Sequence, residues 1–243
     1  MGYTGGKSQA GVHQWIINLI PPHRRYFEPF LGSGAILRLK KPAPVASIGI
    51  DIDPAAPGLA LDLPHVPGLR LIRSNGTVMM QNFLDDSYFE SADFVYCDPP
   101  YLPITRKNRR HYRCEMGEAG HLDLLGVLIA LPCMVLVSGY PSPLYDRVLA
   151  GWHRETRRVM TRGHTWATEC VWFNYPRPAV PHDTGSVGED FRARWRLEKR
   201  RRRWRARLAK LPPAERAALV EVCAEFQRPP APEMALAASN FPP

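Results

Sequence analysis

Short runs of apolar, β-branched or aromatic residues recur along the first 140 residues, and Gly, Pro or Asp bounds each run. Runs of this length and composition predict buried strands, and the stretches between them have the apolar spacing of helices. The predicted strands are residues 25–30, 45–52, 69–74, 93–97 and 133–139, and the predicted helices are residues 35–40, 77–84, 118–130 and 142–150. This alternation predicts an α/β fold built from βα units around a largely parallel sheet.

Two later runs, residues 153–162 and 169–175, predict how the sheet ends. The short polar turn Gly163-His164-Thr165-Trp166 separates them, and such a turn suits an antiparallel hairpin. We therefore expect a Rossmann-like sheet that is mostly parallel and carries a terminal antiparallel hairpin.

The composition changes after residue 175. Pro, His, Gly and Ser dominate residues 176–188, which predicts a linker. Two helices are predicted beyond it, residues 191–211 and 214–226, because Pro212-Pro213 can begin a helix but cannot lie within one. The expected organisation is a sheet domain at 1–175, a linker at 176–188, a basic helical hairpin at 189–228, and a Pro- and Ala-rich tail at 229–243 that we expect to be disordered.

The composition sets further bounds. A chain of 243 residues that is 45% hydrophobic can bury one full-sized core. No apolar run approaches the roughly 20 residues of a membrane span, and residues 1–10 lack the build of a signal peptide, so we expect a soluble, intracellular protein without a membrane partner. The cysteines are odd in number and never spaced as Cys-x-x-Cys, which predicts buried thiols rather than a zinc site or disulfides: Cys97, Cys114, Cys133, Cys170 and Cys223.

The net charge of +9 is unevenly distributed. Residues 189–210 hold eleven Lys or Arg and three acids, a net charge of +8, which leaves +1 for the other 221 residues. A second basic run with an aromatic residue contains Arg106, Lys107, Arg109, Arg110, Tyr112 and Arg113. Two such segments predict a polyanionic partner, most simply nucleic acid. For the C-terminal segment a second interpretation stays open, in which its apolar residues pack on the sheet domain or on a second copy as a homodimer.

The first sequence motif that carries chemistry is Glu28-Pro29-Phe30-Leu31-Gly32-Ser33-Gly34. It ends a predicted strand and turns into a predicted helix through glycines, which let a ligand approach the backbone. Asp51 ends the next strand seventeen residues after Gly34, where an acid can accept hydrogen bonds from ribose hydroxyls. The spacing indicates a nucleoside-containing cofactor, and Leu37 at the third small position of the dinucleotide fingerprint disfavours a dinucleotide. Glycines that merely end a strand are the plainer alternative.

The second motif is Asp98-Pro99-Pro100-Tyr101. It follows a buried strand, and neither proline can donate a backbone hydrogen bond, so the strand ladder stops there. The Asp98 carboxylate and the Pro99 carbonyl can together accept both hydrogens of an exocyclic aromatic amine and direct its lone pair at an electrophile. Tyr101 can stack on the base. An ordinary Pro-Pro turn with an exposed Asp is the alternative.

With these two motifs and Tyr3-Thr4-Gly5-Gly6-Lys7, the chain resembles the Dam-like adenine-N6 DNA methyltransferases from about Tyr3 to Tyr175. The resemblance implies a methyltransferase sheet and S-adenosylmethionine as cofactor, without a metal. It implies Asp98, Pro99 and Tyr101 as catalytic residues. The residues that it implies around the cofactor are Tyr3, Lys7, Glu28, Phe30, Gly32, Asp51 and Asp98. The basic run after Tyr101 is similar to the loop that joins the catalytic motif to the next helix in short, phage-type members. Its position beside that motif favours contact with DNA around an extruded base, and a solvated surface loop is the alternative.

The chain departs from this family in three ways. Members often carry an acid near the adenine of the cofactor, where this chain reads Ser74-Asn75-Gly76-Thr77. Only 46 residues separate Asp51 from Asp98, too few for a target-recognition domain. The basic C-terminal helices lie outside the resemblance.

These features together predict a site-specific adenine-N6 methyltransferase that flips its base out of double-stranded DNA, in the cytoplasm of a bacterial or phage-infected cell. Adenine methylation of RNA stays an alternative. Methylation of a protein glutamine is disfavoured, because those enzymes usually begin the tetrapeptide with Asn. A non-catalytic DNA-binding protein with a degenerate cofactor pocket is the alternative from another class. The sequence discloses neither the target site nor a restriction partner.

Overall fold

A computed structural model describes residue 7 and residues 11–106, 112–160, 166–188 and 190–226. The chain forms two compact units, Met1–Arg194 and Trp195–Pro243.

The first unit contains a seven-stranded sheet. Its strands are β1 (Arg25–Glu28), β2 (Ala46–Asp51), β3 (Leu69–Arg73), β4 (Phe94–Cys97), β5 (Met134–Gly139), β6 (His153–Met160) and β7 (Trp166–Phe173). They lie in the order β3-β2-β1-β4-β5-β7-β6, and β7 alone runs opposite in direction to the other six strands. This confirms the predicted fold class, a mostly parallel Rossmann-like sheet that ends in an antiparallel hairpin.

Five α-helices accompany the sheet: α1 (Val12–Leu19), α2 (Ala35–Leu39), α3 (Gly76–Asp85), α4 (Glu118–Ala130) and α5 (Pro143–Val148). The chain leaves β1 towards β2 and β3 and later returns to place β4 on the other side of β1. The order therefore reverses between β1 and β4, and in an open α/β sheet the crevice at such a reversal, beyond the carboxyl ends of the strands, binds ligands.

The sheet has an apolar cluster on each face. Side chains on both faces of the central strands are therefore buried, which explains why the sequences of these strands are continuously apolar. Successive residues of a strand point to opposite faces. Phe27 and Val95 belong to one cluster, whereas their neighbours Tyr26 and Phe94 belong to the other. Both faces of β1 and β4 are therefore covered, as in parallel sheets generally.

Helix α1 is absent from the sequence prediction. It buries Val12, Trp15, Ile16 and Leu19, which have the i, i+3, i+4, i+7 spacing of one helical face, and it joins the same cluster as Tyr26. The pattern was therefore present in the sequence but was not recognised. Strand β7 also begins three residues before the predicted position, at Trp166, because Val159 and Met160 of β6 pair with Ala167 and Trp166.

The Pro-rich segment predicted as a linker belongs to the first unit and is hydrogen-bonded to other parts of it. His182 donates its backbone N–H to the carbonyl of Ile20 at 2.8 Å, and Asn18 donates to the carbonyl of Ser186 at 2.8 Å. The Asp183 carboxylate accepts from the backbone of Lys41 at 2.9 Å. These bonds connect the segment to the C-terminal ends of α1 and α2.

The second unit contains most of α6 (Phe191–Ala209) and all of α7 (Pro213–Glu225), which Pro212 and Pro213 separate. Both helices were predicted with nearly these bounds. The predicted disordered tail, residues 229–243, lies outside the described residues.

The cysteines do not all match their prediction. Cys97, Cys133 and Cys170 are buried free thiols, but Cys114 is only partly buried and Cys223 is exposed. Cys223 is on α7, where no side chain is buried, and Cys114 lies in the loop before α4. In the part of the chain that the structure describes, no group of His, Cys, Asp and Glu could hold a metal ion. No helix in that part is long and apolar enough to cross a membrane.

Candidate functional site

A cavity of about 390 Å³ lies where the strand order reverses, beyond the carboxyl ends of β1, β2 and β4. Most of the residues predicted to hold the cofactor line it: Lys7, Glu28, Phe30, Gly32, Asp51 and Asp98. Tyr3 lies outside the described residues. The two sequence motifs, about seventy residues apart in the chain, thus meet at one cavity because β1 and β4 are neighbours.

The glycine-rich turn after β1 brings main chain to the cavity wall. Leu31 donates its N–H to the carbonyl of Ile50 at 2.9 Å, and Gly34 donates to Leu31 at 2.7 Å. Gly34 has φ of 64°, a left-handed conformation that favours glycine, and a Cβ there would lie 2.6 Å from a methyl group of Leu61. A larger residue at this turn would therefore disturb the start of α2.

Asp51 ties the ends of β1 and β2 together. One carboxylate oxygen accepts the Gly32 N–H at 2.6 Å, and the other accepts the Asp53 N–H at 2.8 Å. Burial raises the pKa of Asp51, although these backbone hydrogen bonds oppose that effect. Each carboxylate oxygen has a second acceptor position, so the carboxylate can also receive hydroxyl groups from a ligand. This geometry is compatible with the predicted ribose contact.

Glu28 is a buried acid at the end of β1, with 2% of its surface exposed. It accepts hydrogen bonds from the Tyr26 hydroxyl at 2.8 Å and from the Leu37 backbone at 3.2 Å. Burial raises its pKa to about 8, and the charge of Asp98 acts in the same direction. Glu28 is therefore mainly a neutral carboxylic acid at pH 7, and it can donate as well as accept a hydrogen bond at the cavity wall.

We expect Glu28→Gln to make the protein less sensitive to alkaline pH. Because the Glu28 pKa is about 8 when folded and about 4.5 when unfolded, its contribution to stability falls as pH rises from about 4.5 to 8. Gln keeps the acceptor oxygen but cannot ionise. At pH 8 the variant should exceed the wild type in free energy of unfolding by on the order of 2 kcal/mol, with no such gain at pH 5. Urea denaturation at both pH values checks this, and a gain of equal size at both would contradict it.

Asp98 follows β4 and is held by one oxygen. Its Oδ1 accepts hydrogen bonds from Lys7 Nζ and from Ser138 Oγ, both at 2.7 Å. Ser138 is on β5, which pairs with β4, so the pairing of these two strands places Ser138 beside Asp98. In the described part of the chain, these donors both reach Oδ1, which leaves Oδ2 as the oxygen that can receive a ligand amine.

Glu169 on β7 completes a buried cluster around Lys7. Its Oε1 lies 3.1 Å from Lys7 Nζ and accepts a hydrogen bond from the Tyr101 hydroxyl, which in turn accepts from Lys7. Burial alone would lower the pKa of Lys7, but the charges of Asp98 and Glu169 outweigh it, so this pKa lies above its ordinary value. Lys7 is thus an ammonium between two carboxylates.

The second motif, Asp98-Pro99-Pro100-Tyr101, lies partly behind the cavity wall. Pro100 lines the cavity, and Pro99 is buried. The Tyr101 ring is also buried and makes an edge contact with Tyr140, with 4.6 Å between ring centroids. Its hydroxyl faces Glu169 and Lys7. Base stacking by Tyr101 stays a prediction, and a stacked base would have to share the ring with these neighbours.

Glu169, Ser138 and Tyr140 are absent from the residues that the sequence predicts for this site. The signal for Glu169 was present, because it is the one charged residue in the buried half of β7, and a fully buried acid requires a partner. Ser138 and Tyr140 had no such signal. Their role depends on the adjacency of β4 and β5, which no sequence pattern discloses.

The predicted DNA contacts of the basic run after Tyr101 stay a prediction, and the structure shows the surroundings of three of its residues. The Arg106 guanidinium is buried and pairs with both oxygens of Glu115, at 2.5 and 3.2 Å, so its charge is already balanced inside the protein. Tyr112 and Arg113 line the cavity, and Arg113 lies 3.5 Å from Asp53 with most of its side chain exposed. Of the predicted DNA contacts, Lys107, Arg109 and Arg110 lie outside the described residues.

The Asn75-Gly76 departure has a structural explanation. Asn75 caps α3, because its side-chain oxygen accepts from the backbone of Thr77 and Val78 at 3.0 and 3.3 Å. A Cβ on Gly76 would lie 2.0 Å from the Pro29 carbonyl oxygen, so only glycine lets α3 pack against the first motif. Thr77 lines the cavity, and its buried hydroxyl has no hydrogen-bond partner among the described residues.

No family model matches this chain, and no curated protein matches it. Solved structures do. A SAM-dependent methyltransferase from Agrobacterium tumefaciens is 13% identical with a TM-score of 0.46; the match covers 68% of this chain and 59% of that chain, so it spans little more than half of that structure. A precorrin-8w decarboxylase from Methanobacterium thermoautotrophicum is 11% identical with a TM-score of 0.45, over 71% and 93% of the two chains.

A precorrin-6y C5,15-methyltransferase from Geobacter metallireducens is 13% identical with a TM-score of 0.42, over 68% of this chain and 86% of that one. The chain is therefore similar to these structures only at low identity. What bears on its function is the geometry of its own site.

Proposed function

We propose that this chain is an S-adenosylmethionine-dependent methyltransferase that transfers a methyl group to N6 of adenine in DNA. The observation that carries the proposal is Asp98, whose carboxylate lies at the ligand crevice with Oδ1 held by Lys7 and Ser138 and Oδ2 left to receive an amine. Because hydrogen bonds to Oδ1 already hold the Asp98 side chain, its carboxylate can orient an exocyclic amine while losing little conformational entropy of its own on binding.

The cavity fits the cofactor in size and chemistry. Its volume of about 390 Å³ lies within the usual range of small-molecule sites. Asp51 would accept from ribose hydroxyls, and the unsatisfied hydroxyl of Thr77 could serve a polar group of the ligand. Phe30 and the half-exposed Ile52 supply apolar wall. When bound, S-adenosylmethionine would supply an electrophilic methyl group.

The amine of the target base would be oriented by the second motif. Asp98 would accept one N–H at Oδ2, and the Pro99 carbonyl, as predicted from the sequence, would accept the other. Two acceptors in these directions favour the pyramidal nitrogen and direct its lone pair at the methyl donor. Asp98 could also accept the proton that the nitrogen releases after transfer. A base within a duplex cannot reach a carboxylate that lies in a crevice with only 14% of its side chain exposed, so the proposal requires base flipping.

Lys7 and Glu169 would act as positioning residues. Lys7 donates to Asp98 and keeps its Oδ1 occupied, while Glu169 balances the Lys7 charge and accepts from Tyr101. A carboxylate that is fixed before the substrate arrives need not reorganise during the reaction.

Labelled S-adenosylmethionine tests the proposed function directly. We expect label transfer to duplex DNA, with none to structured RNA or in the absence of nucleic acid, and we expect N6-methyladenine after digestion of the product. Transfer to RNA alone, or label on a base other than adenine, would contradict the proposal. Sequencing of the methylated DNA would then identify the target site.

Arg113→Gln is expected to weaken DNA binding. Arg113 is exposed at the rim of the cavity, where phosphates flanking an extruded base would lie. Loss of one phosphate contact should reduce the slope of log Kd against log salt concentration by about 1. Fluorescence anisotropy with a labelled duplex at several salt concentrations measures this slope.

Arg24→Gln is the matched control, because Arg24 is similarly exposed and also faces one carboxylate, that of Glu90, but lies at the amino end of β1. An equal change in slope for Arg24→Gln and Arg113→Gln would show that general charge, rather than the position of Arg113, is responsible.

A further inference from the structure

Helix α6 carries a cationic stripe made of Arg196, Lys199, Arg200, Arg203 and Arg207. Their spacing of i, i+3, i+4, i+7 and i+11 puts all five within an arc of about 100° over about 16 Å of helix. All five side chains are exposed. The eleven basic residues between positions 189 and 210 are therefore unevenly distributed around the helix, and the side that carries the stripe holds more of them than the other sides.

No acid lies on the stripe. Glu198, the one acid within α6, lies about 150° from the centre of the stripe by helical geometry. It pairs with Arg202 at 3.2 Å and Arg201 at 3.9 Å, which are both on other sides of the helix. The helix thus neutralises basic residues away from the stripe and leaves those on the stripe without an internal counter-ion among the described residues.

Such a stripe weakens the isolated helix. Like charges three or four residues apart repel one another, and Arg196 with Arg200, Lys199 with Arg203, and Arg203 with Arg207 are pairs of this kind. An anionic partner removes that repulsion on binding. The concentration of basic residues on one side of α6 and the repulsion among them both favour a polyanionic ligand for the stripe.

The apolar residues of α6 lie beside the stripe. Leu197, Trp204 and Leu208 line a groove that also contains Arg200 of the stripe and Arg216 of α7, and Trp204 is 53% exposed. A helix that lies in a membrane interface needs its apolar side for the lipid, so vesicle binding is one outcome of the test below. A nucleic acid needs only the cationic side, and duplex DNA presents about ten negative charges over 16 Å of its axis.

We propose that the α6 stripe is a second DNA-binding element, separate from the cavity, that contacts the phosphate backbone of the duplex. The choice of DNA over other polyanions rests on the proposed function. Phosphate contacts orient a protein on the duplex without reading its sequence. The stripe would therefore supply affinity that is independent of the target site, which matters in a chain too short between Asp51 and Asp98 for a recognition domain.

Two triple variants of the full chain test the proposal. The stripe variant is Arg196→Gln, Arg200→Gln and Arg203→Gln. The matched control is Arg201→Gln, Arg202→Gln and Arg205→Gln, which removes the same charge from other sides of the same helix. Gln has a helix propensity similar to that of Arg, and circular dichroism would verify that both variants keep their helix content.

Duplex binding is measured without cofactor at several salt concentrations. We expect the stripe variant to reduce the slope of log Kd against log salt by about 2 to 3 and the control to reduce it by less than 1. Equal reductions in both variants would overturn the proposal, because only total charge would then matter. Wild-type slopes in both variants would also overturn it.

Two further ligands test the identity of the partner. Vesicles of equal parts phosphatidylcholine and phosphatidylserine, and a duplex RNA of matched length, are titrated with wild type and both variants. Loss of vesicle binding in the stripe variant with an unchanged DNA slope would assign the stripe to lipid and overturn the proposal. Binding of RNA more tightly than DNA, with the same dependence on the stripe, would likewise overturn it.

The methyl-transfer assay is run in parallel, so the two ideas can fail separately. DNA methylation by the wild type together with wild-type slopes in both variants would remove only the stripe proposal. Stripe-dependent duplex binding by a wild type that methylates no DNA would remove only the proposed function.

Discussion

Asp98→Ala is expected to reduce kcat for methyl transfer by about 10³-fold or more, because the amine loses the acceptor that orients it. The substitution removes the oxygen that Lys7 and Ser138 hold, but Lys7 keeps its contact with Glu169, so the buried ammonium retains a carboxylate partner. The fold should therefore survive. Single-turnover transfer from labelled cofactor to DNA measures the rate, and circular dichroism verifies the fold.

Asp123→Ala is the matched control for Asp98→Ala, because Asp123 also lines the cavity but is exposed on α4. We expect it to change kcat less than tenfold. A folded Asp98→Ala variant with near-normal turnover would refute the assignment of Asp98 as the residue that orients the amine.

Glu169→Ala is expected to have the next largest effect, a reduction of kcat by about 10²-fold with little change in the KM for cofactor. The Tyr101 hydroxyl would lose its acceptor, and Lys7 would keep only one of its two carboxylates. Glu169→Gln retains an acceptor oxygen and should recover part of the loss. A merely structural role would lower the stability of both variants without this split between kcat and KM.

The pH profile provides a second readout for Glu169. The charge of Glu169 helps hold the pKa of Lys7 above its ordinary value, so its removal lowers that pKa. Glu169 itself has a raised pKa because of burial, and the ionisable groups around the pair are Asp98, Tyr101, Tyr112 and Tyr140. If activity requires the Lys7 ammonium, the alkaline limb of kcat must move to lower pH in Glu169→Gln.

The comparison for the pH profile is Glu155→Gln. Glu155 is on the adjacent strand β6 and pairs at the surface with Arg177 at 2.8 Å. Its pH profile should overlay that of the wild type. An unchanged alkaline limb in Glu169→Gln would contradict the joint expectation that activity requires the Lys7 ammonium and that Glu169 controls its charge.

Local patterns in the sequence were sufficient for much of this fold. The bounds of α4 agree with the predicted helix, and five strands were placed within one or two residues, because apolar periodicity and Gly or Pro boundaries are local properties. The two motifs could also be recognised from the sequence. Each lies at the end of a predicted strand, and the carboxyl ends of parallel strands lie at the same edge of a sheet, where ligands bind.

The contacts inside the site were less accessible to sequence reasoning. Ser138 reaches Asp98 because β5 pairs with β4, and Glu169 reaches Lys7 because β7 returns antiparallel beside β5. Strand adjacency of this kind is set by tertiary packing. The pairing of Arg106 with Glu115 is another example, because a run of basic residues does not disclose which of them is already neutralised inside the protein.

The position of β7 between β5 and β6 has a consequence for how the site is assembled during synthesis. A nascent chain that has emerged only through β5 already contains both motifs and the strands that bring them together. It still lacks Glu169, so Lys7 would have Asp98 as its sole carboxylate partner in the cluster. Contacts between distant parts of a chain form late. The cluster around Lys7 would therefore be completed only when the final hairpin docks, and an incomplete chain would hold both motifs without Glu169.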